Sequence, residues 1–231
     1  EVEDDERALW EGSRSPIVLT PSSDSMKLAK GVADGLSEVG IMIPYAPLFE
    51  WLLDAFQKPV IATSGNISHS PIIYQDENMD MLWEVADYEL TNDRDIVVPQ
   101  DDSVIRISPT YRQQIIIRRS RGLAPNYFPS KLSFPKDALL ATGAHMKSSV
   151  GMLHEGHCYI SQYFGFLAHF DTEQTLRYVQ KHIEKVLGSQ PEVVLHDAHP
   201  QYASTLIAKE LAEKKELSTV AIQHHEAHFA A

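Results

Sequence analysis

The chain has 231 residues, with 20 Lys and Arg against 32 Asp and Glu and a formal charge of −12 at pH 7; at 43% hydrophobic residues its composition is that of a globular protein. The acidic balance argues against a broad, non-specific binder of nucleic acid or membrane surfaces, since both need a basic field. A single cysteine, Cys158, excludes an intrachain disulfide and a cysteine-based zinc ribbon within the chain, and no run approaches the ~18 apolar residues of a membrane span.

The acidic start EVEDDERALWEGSRS is not a signal peptide, and with one cysteine the expectation is a soluble protein of a reducing, cytoplasmic compartment. Pro16 to Thr20 and Val39 to Ile43 read as strands. Pro47 to Phe56 reads as an amphipathic helix opened by proline at its first position, with Leu48, Leu52 and Phe56, joined by Phe49 and Leu53, as its buried face. A strand from Lys58 to Ala62 is expected to run into Thr63-Ser64-Gly65-Asn66, and Ser103 to Ser108 and Gln114 to Arg118 complete the strands of an α/β first half.

Three prolines within PNYFPSKLSFP leave little room for a helix or a central strand, so a linker is placed at residues 128–137 between domains at 1–127 and 138–231. Beyond it, Ala138 to Ala144, Ser149 to Leu153 and His157 to Gln162 read as three strands, with His154-Glu155-Gly156 as a turn. A helix comes next, with Asp171 as N-cap and Gln174 at the capping-box position. Leu176, Val179, Ile183, Val186 and Leu187 form its apolar stripe, and Gly188 ends it. Glu192 to Leu195 is a short strand, Gln201 to Glu213 a helix, Thr219 to Gln223 a strand, and HHEAHFAA opens a last helix. The order βββαβαβα is that of the ribonuclease-H-like lobe of the actin and sugar-kinase group, folds that normally pair two lobes around ATP.

Several clusters carry chemistry. Thr63, Ser64 and Asn66 offer hydroxyls, an amide and free backbone N–H groups at a strand end, which suits a phosphate, although the same residue types make a common turn. Ser103 and Arg106 stand in the polar run DDSVIR, and Arg118 and Arg121 come at the end of the apolar strand IIIRR; guanidinium groups there clamp phosphate or carboxylate, or simply form a solvated charge run. His224 and His228 are four apart on one helix face and can share a divalent metal, with a further ligand still needed. Asp197, in HDAHP, sits at the carboxyl end of a strand, where sites of open α/β sheets gather, or caps the next helix. Lys147 comes after the first strand of the second half, in reach of a nucleotide phosphate or exposed on a hairpin. Cys158 reads as a small core residue.

Together these strings resemble the hydrogenase maturation carbamoyltransferase family, HypF. GIMIPYAPLFEWLL, PVIATSGNISHSPI, ADYELTNDRDI, DDSVIR and IIIRRSRGLAP are similar to its YrdC-like domain. ATGAHMKSSV, YISQYFG, VVLHDAHPQYAST and VAIQHHEAHFAA are similar to its actin-like carbamoyl-transfer domain. The resemblance runs from about Pro16 to Ala231, in the family's order. It implies a YrdC-like α/β domain followed by the ribonuclease-H-like βββαβαβα lobe. It also implies that carbamoyl phosphate is hydrolysed to carbamate, which ATP with Mg2+ activates as carbamoyl-adenylate. The carbamoyl group then passes to the C-terminal cysteine of a HypE-type acceptor, towards the cyanide ligands of nickel–iron hydrogenase.

By the same resemblance Thr63, Ser64, Asn66, Ser103, Arg106, Arg118 and Arg121 hold the adenylate. His224 and His228 bind a divalent metal, zinc or iron, and Lys147 and Asp197 act in the transfer domain. An internal fragment is expected, with the start of the YrdC-like domain before Glu1 and the second actin-like lobe after Ala231. The chain departs from the family pattern at Pro99, where an arginine is expected, at His145 and Phe166, where acids are usual, and at Tyr163, where histidine is usual. Related chemistry offers two other readings: threonylcarbamoyl-adenylate synthesis for tRNA modification, and a nucleotide-binding fragment without turnover. Antibiotic O-carbamoyltransferases fuse the same folds in the reverse order.

Overall fold

The computed structural model describes residues 2–23, 28–67, 70–125, 127–128 and 133–230. Its contacts divide the chain into two compact units, Glu1–Ser64 with Asp101–Leu123, and Gly65–Gln100 with Ala124–Ala231.

The first unit opens with a helix that sequence periodicity did not announce, α1 (Asp4–Glu11). A capping box between Glu3 and Glu6 closes its free N–H groups, and Leu9 and Trp10 turn inward. Strands β1 (Ile17–Pro21), β2 (Glu38–Ile41), β3 (Val104–Ile107) and β4 (Gln114–Arg118) form one sheet in the order β2-β1-β3-β4. β1 and β3 run parallel and both edges are antiparallel. Leu9 and Trp10 pack on Val18, Ile105, Ile107 and Leu123, and the Trp10 indole donates to the Ile41 carbonyl at 2.8 Å. Each large side chain so buried contributes about 1.5–3 kcal/mol.

Helix α2 (Pro47–Phe56) has the expected bounds, but none of its residues is buried. Leu48, Phe49, Leu52 and Phe56, the face expected inside, are all exposed, because among the described residues no element covers that stripe. Lys58 to Ala62 forms no strand. The sheet ends at β2 and β4, Pro59 has no N–H to offer a ladder, and Val60 and Ile61 lie open to solvent.

In the second unit, the described residues between 65 and 100 are irregular apart from a 3-10 helix at Asp76–Leu82. The end of this stretch is tied down by elements later in the chain: Val98 packs on Met152, Val179 and Ile183. The Val97 carbonyl accepts from Tyr178 at 2.9 Å, and Pro99, one of the departures from the family pattern, gives its carbonyl to the Gln162 amide at 3.3 Å. Residues 129–132 of the expected linker lie outside the described residues, while β5 (Tyr127–Phe128) pairs antiparallel with the strand His157–Ile160.

The remaining elements come in the predicted order: β6 (Leu139–Ala141), β7 (Gly151–His154), β8 (His157–Ile160), α3 (Phe170–Leu187), β9 (Val193–Asp197), α4 (Ala203–Lys215), β10 (Ser218–Ile222) and α5 (His224–Ala230). The sheet order is β10-β9-β6-β7-β8-β5, with β6, β9 and β10 parallel and the rest antiparallel. Leu140 and Val194 of the central strands meet Leu176 of α3 and Ile207, Ala208 and Ala212 of α4 in one core.

Two details of α3 differ from expectation. Its N-cap is His169, so Asp171 lies within the first turn, where an acid favours the helix dipole. Val186 is 67% exposed. The inward position is taken by Glu184, whose buried carboxylate is held by Gln180 at 2.5 Å and by Lys215 of α4 at 2.7 Å.

Candidate functional site

The clearest constellation lies at the carboxyl ends of β6, β9 and β10, the edge where open α/β sheets place ligands. A cavity of about 310 Å³ there is lined by Gly143, Leu195, Asp197, Ile222, His224 and His228 among others. Gly143 is required: its φ is +66°, and a Cβ would stand 2.5 Å from the Ser149 carbonyl oxygen. Parallel pairing of β9 with β10 sets Asp197 opposite Ile222, and α5 begins two residues later. The register therefore brings Asp197 against His224, residues 27 apart in sequence, with Oδ2 2.7 Å from Nδ1.

One helical turn on, His228 Nε2 lies 3.1 Å from His224 Nε2. Two nitrogens sharing one ion at ~2.0–2.1 Å must stand roughly 2.9–3.4 Å apart, so the pair fits as two adjacent ligands of a divalent metal. Imidazole donors suit zinc or iron. Among the described residues no group of three or more His, Cys, Asp or Glu forms a complete cage.

Asp197 is firmly held. Its side chain is 5% exposed, Oδ1 accepts from the His199 backbone N–H at 2.8 Å, and its own carbonyl accepts from the Thr205 hydroxyl at 2.9 Å. Burial pushes its carboxyl up, but the His199 N–H and the His224 ring outweigh that and hold it below the usual carboxylate range.

Beside this edge the rings of His145, Tyr202 and His199 stack, with centroids 5.2 Å and 4.1 Å apart, and Phe166 stands edge-on to His145 at 4.8 Å. Two of the departures from the family pattern thus contact each other. His145 Nδ1 accepts from the Ala203 N–H at 3.3 Å, at the start of α4. Lys147, on the loop between β6 and β7, is exposed and has φ +50°.

The second constellation is in the first unit. Ser103 is fully buried; its hydroxyl donates to the Arg121 carbonyl at 2.8 Å and accepts from the Ser120 N–H at 2.9 Å. Arg121 bonds Asp102 at 2.6 Å and the Ser15 carbonyl at 2.7 Å, and lies 3.4 Å over the Tyr45 ring. Arg118 donates to the Asp102 carbonyl at 2.8 Å and faces Asp101 at 3.6 Å.

The structure therefore brings Ser103, Arg118 and Arg121 to one corner, while Arg106 on β3 pairs with Glu38 of β2. Thr63 and Ser64 are exposed in the irregular stretch after α2, and Asn66 Nδ2 donates to the Ile67 and Ser70 carbonyls at 2.9 and 3.2 Å. Next to the corner is a cleft of about 580 Å³ lined by Trp10, Tyr45, Pro47, Glu50, Trp51 and Arg121 among others. Tyr45 and Trp10 escaped sequence reasoning; the proline-flanked PYAP was the signal for a fixed aromatic there.

In comparison with known proteins, two family models match the chain in succession. The Sua5, YciO and YrdC family model, described as telomere recombination, matches residues 2–120, and a model described as HypF Kae1-like domain matches residues 135–231. A crystal structure of full-length HypF in a phosphate- and nucleotide-bound form superposes with a TM-score of 0.90 at 37% identity, over 99% of this chain and 35% of that one. The chain belongs to the HypF carbamoyltransferase family.

Carbamoyltransferase HypF of Synechocystis sp. is 34% identical over 227 residues, covering 96% of this chain and 28% of the relative. The probable carbamoyltransferase HypF of Methanocaldococcus jannaschii is 32% identical over 228 residues, covering 98% and 29%. The HypF of T. kodakarensis superposes with a TM-score of 0.89 at 30% identity, over 100% of this chain and 30% of that structure. The chain thus spans about three-tenths of the HypF proteins it matches. No helix among the described residues is long and apolar enough to cross a membrane.

Proposed function

We propose that this chain carries two sets of ligand-handling residues for an ATP-dependent carbamoyl transfer in nickel–iron hydrogenase maturation. In this reading carbamoyl phosphate is hydrolysed to carbamate and phosphate, and carbamate takes the adenylyl group of ATP with Mg2+ as pyrophosphate leaves. Thr63, Ser64, Asn66, Ser103, Arg106 and Arg118 are the residues assigned to hold the adenylate. Arg121 shapes that cleft through its bonds to Asp102 and Ser15 and its stack on Tyr45. The carbamoyl group then passes to the C-terminal cysteine of a HypE-type acceptor. The carbon–oxygen bond to the adenylate breaks, a carbon–sulfur bond forms, and AMP and the thiol proton leave.

On the Kae1-like side, His224 and His228 hold a divalent metal, zinc or iron, which supplies Lewis-acid polarisation when bound. Lys147 is the basic group that meets a nucleotide phosphate, and Asp197 belongs to the metal centre. One observation carries the reading: a YrdC-type segment and a HypF Kae1-like segment succeed each other on one chain, and full-length HypF matches both over 99% of it. That relative's phosphate- and nucleotide-bound state supports nucleotide binding here.

Calorimetric titration with a non-hydrolysable carbamoyl-adenylate analogue, beside its threonylcarbamoyl counterpart and AMP, tests the proposal. Preference for the carbamoyl compound, lost in Asn66→Ala, is the expected result. Preference for the threonyl compound would move the chain to tRNA modification, and equal binding of all three would reduce it to a nucleotide-binding module.

A further inference from the structure

We propose that Asp197 is the positioning carboxylate of His224: it fixes the imidazole as the Nδ1–H tautomer and aims the bare Nε2 at the point shared with His228. Only the consequence for metal rests on the proposed carbamoyl-transfer function; the tautomer is set by the chain's own geometry.

An ionised carboxylate can only accept, so the 2.7 Å contact requires His224 Nδ1 to carry the proton. The neutral ring then has its lone pair on Nε2, on the opposite edge, 3.1 Å from His228 Nε2. Asp197 has no freedom to turn away. Oδ1 is fixed by the His199 N–H, the backbone is fixed by Thr205 Oγ and by the Ala198 N–H bond to Ile222, and the side chain is almost wholly buried. Such outer carboxylates orient a ligating histidine and raise its basicity, and their loss typically costs about 10–100-fold in metal affinity. Because Asp197 faces the far edge of the ring, it positions a ligand and does not itself reach an ion held between the two Nε2 atoms.

Asparagine at 197 separates shape from charge. Its amide must point NH2 either at His224 Nδ1, which forces the other tautomer, or at the His199 N–H, which breaks the clamp. The experiment is long-range 1H–15N NMR of the histidine rings in metal-free wild type and Asp197→Asn, followed by Zn2+ titration of both. Asp197→Ala, checked by thermal melting, serves as a second variant should Asp197→Asn fold poorly.

The expected result is an Nδ1–H tautomer at His224 in wild type, a shift towards Nε2–H in Asp197→Asn, and about 10–100-fold weaker Zn2+ binding in the folded variants. An Nε2–H tautomer in wild type, or unchanged Zn2+ affinity in a folded variant, would overturn the proposal. Absence of Zn2+ binding to a wild type with the expected tautomer would sink the metal reading of the pair while upholding the assignment of the tautomer to Asp197.

Discussion

Gly122 adjoins Arg121 with φ +82°, and a Cβ there would meet the Arg14 carbonyl oxygen at 2.6 Å. Gly122→Ala is therefore expected to lower stability by about 1–3 kcal/mol, read as a drop in melting temperature. Tyr45, under the same guanidinium, reports the corner directly. Burial and the Asp102 charge push its phenol up, against the opposing pull of Arg121. The fold thus favours the neutral phenol, so this contribution to stability is complete below the ordinary value of ~10 and is lost as pH rises through the higher folded value. Alkaline absorbance titration should show one tyrosine ionising later than the rest, and Tyr45→Phe should remove it.

At this scale the sequence displayed the basic run RRSRG but not its partners. Asp101 and Asp102 are aligned with Arg118 and Arg121 by the β3–β4 pairing, a register that local pattern does not encode. The Asp197–His224 contact was hidden for the same reason: each residue is visible at an element end, and only the parallel β9–β10 ladder joins them.

Elements were legible where their cause is local. Proline at the first helical position marked α2, glycine in the left-handed region ended α3, and the two-residue turn Glu155-Gly156 joined β7 to β8. Burial was less legible, because a stripe says which side of a helix is apolar and not whether anything covers it. The two cases separate by mutation. Leu140, on β6, is fully buried, and Leu140→Ala should cost about 2–5 kcal/mol in chemical denaturation. Leu52, on α2, is 53% exposed, and Leu52→Ala should stay within about 0.5 kcal/mol. A large loss at Leu52 would show that the α2 stripe is covered after all. The inward Glu184 could not be anticipated from α3 alone, since it depends on Gln180 one turn away and on Lys215 of α4.

At the scale of the molecule, the element order of the second half was readable because each crossover unit carries its own strand and helix periods. The first half was harder: β1 pairs with β3 across more than eighty residues of intervening chain. Family membership joins the halves, and the proposed function assigns each a different ligand, an adenylate on residues around Asn66 and a divalent ion on His224 and His228. Separate titration of both ligands into Asn66→Ala and His224→Ala tests this division most directly. The prediction is that Asn66→Ala weakens the carbamoyl-adenylate analogue by about tenfold or more, roughly one lost hydrogen bond, and keeps Zn2+. His224→Ala should do the reverse, losing Zn2+ and keeping the analogue. Loss of both ligands in either folded variant, or of neither, would contradict the assignment of two chemistries to two sites on this chain.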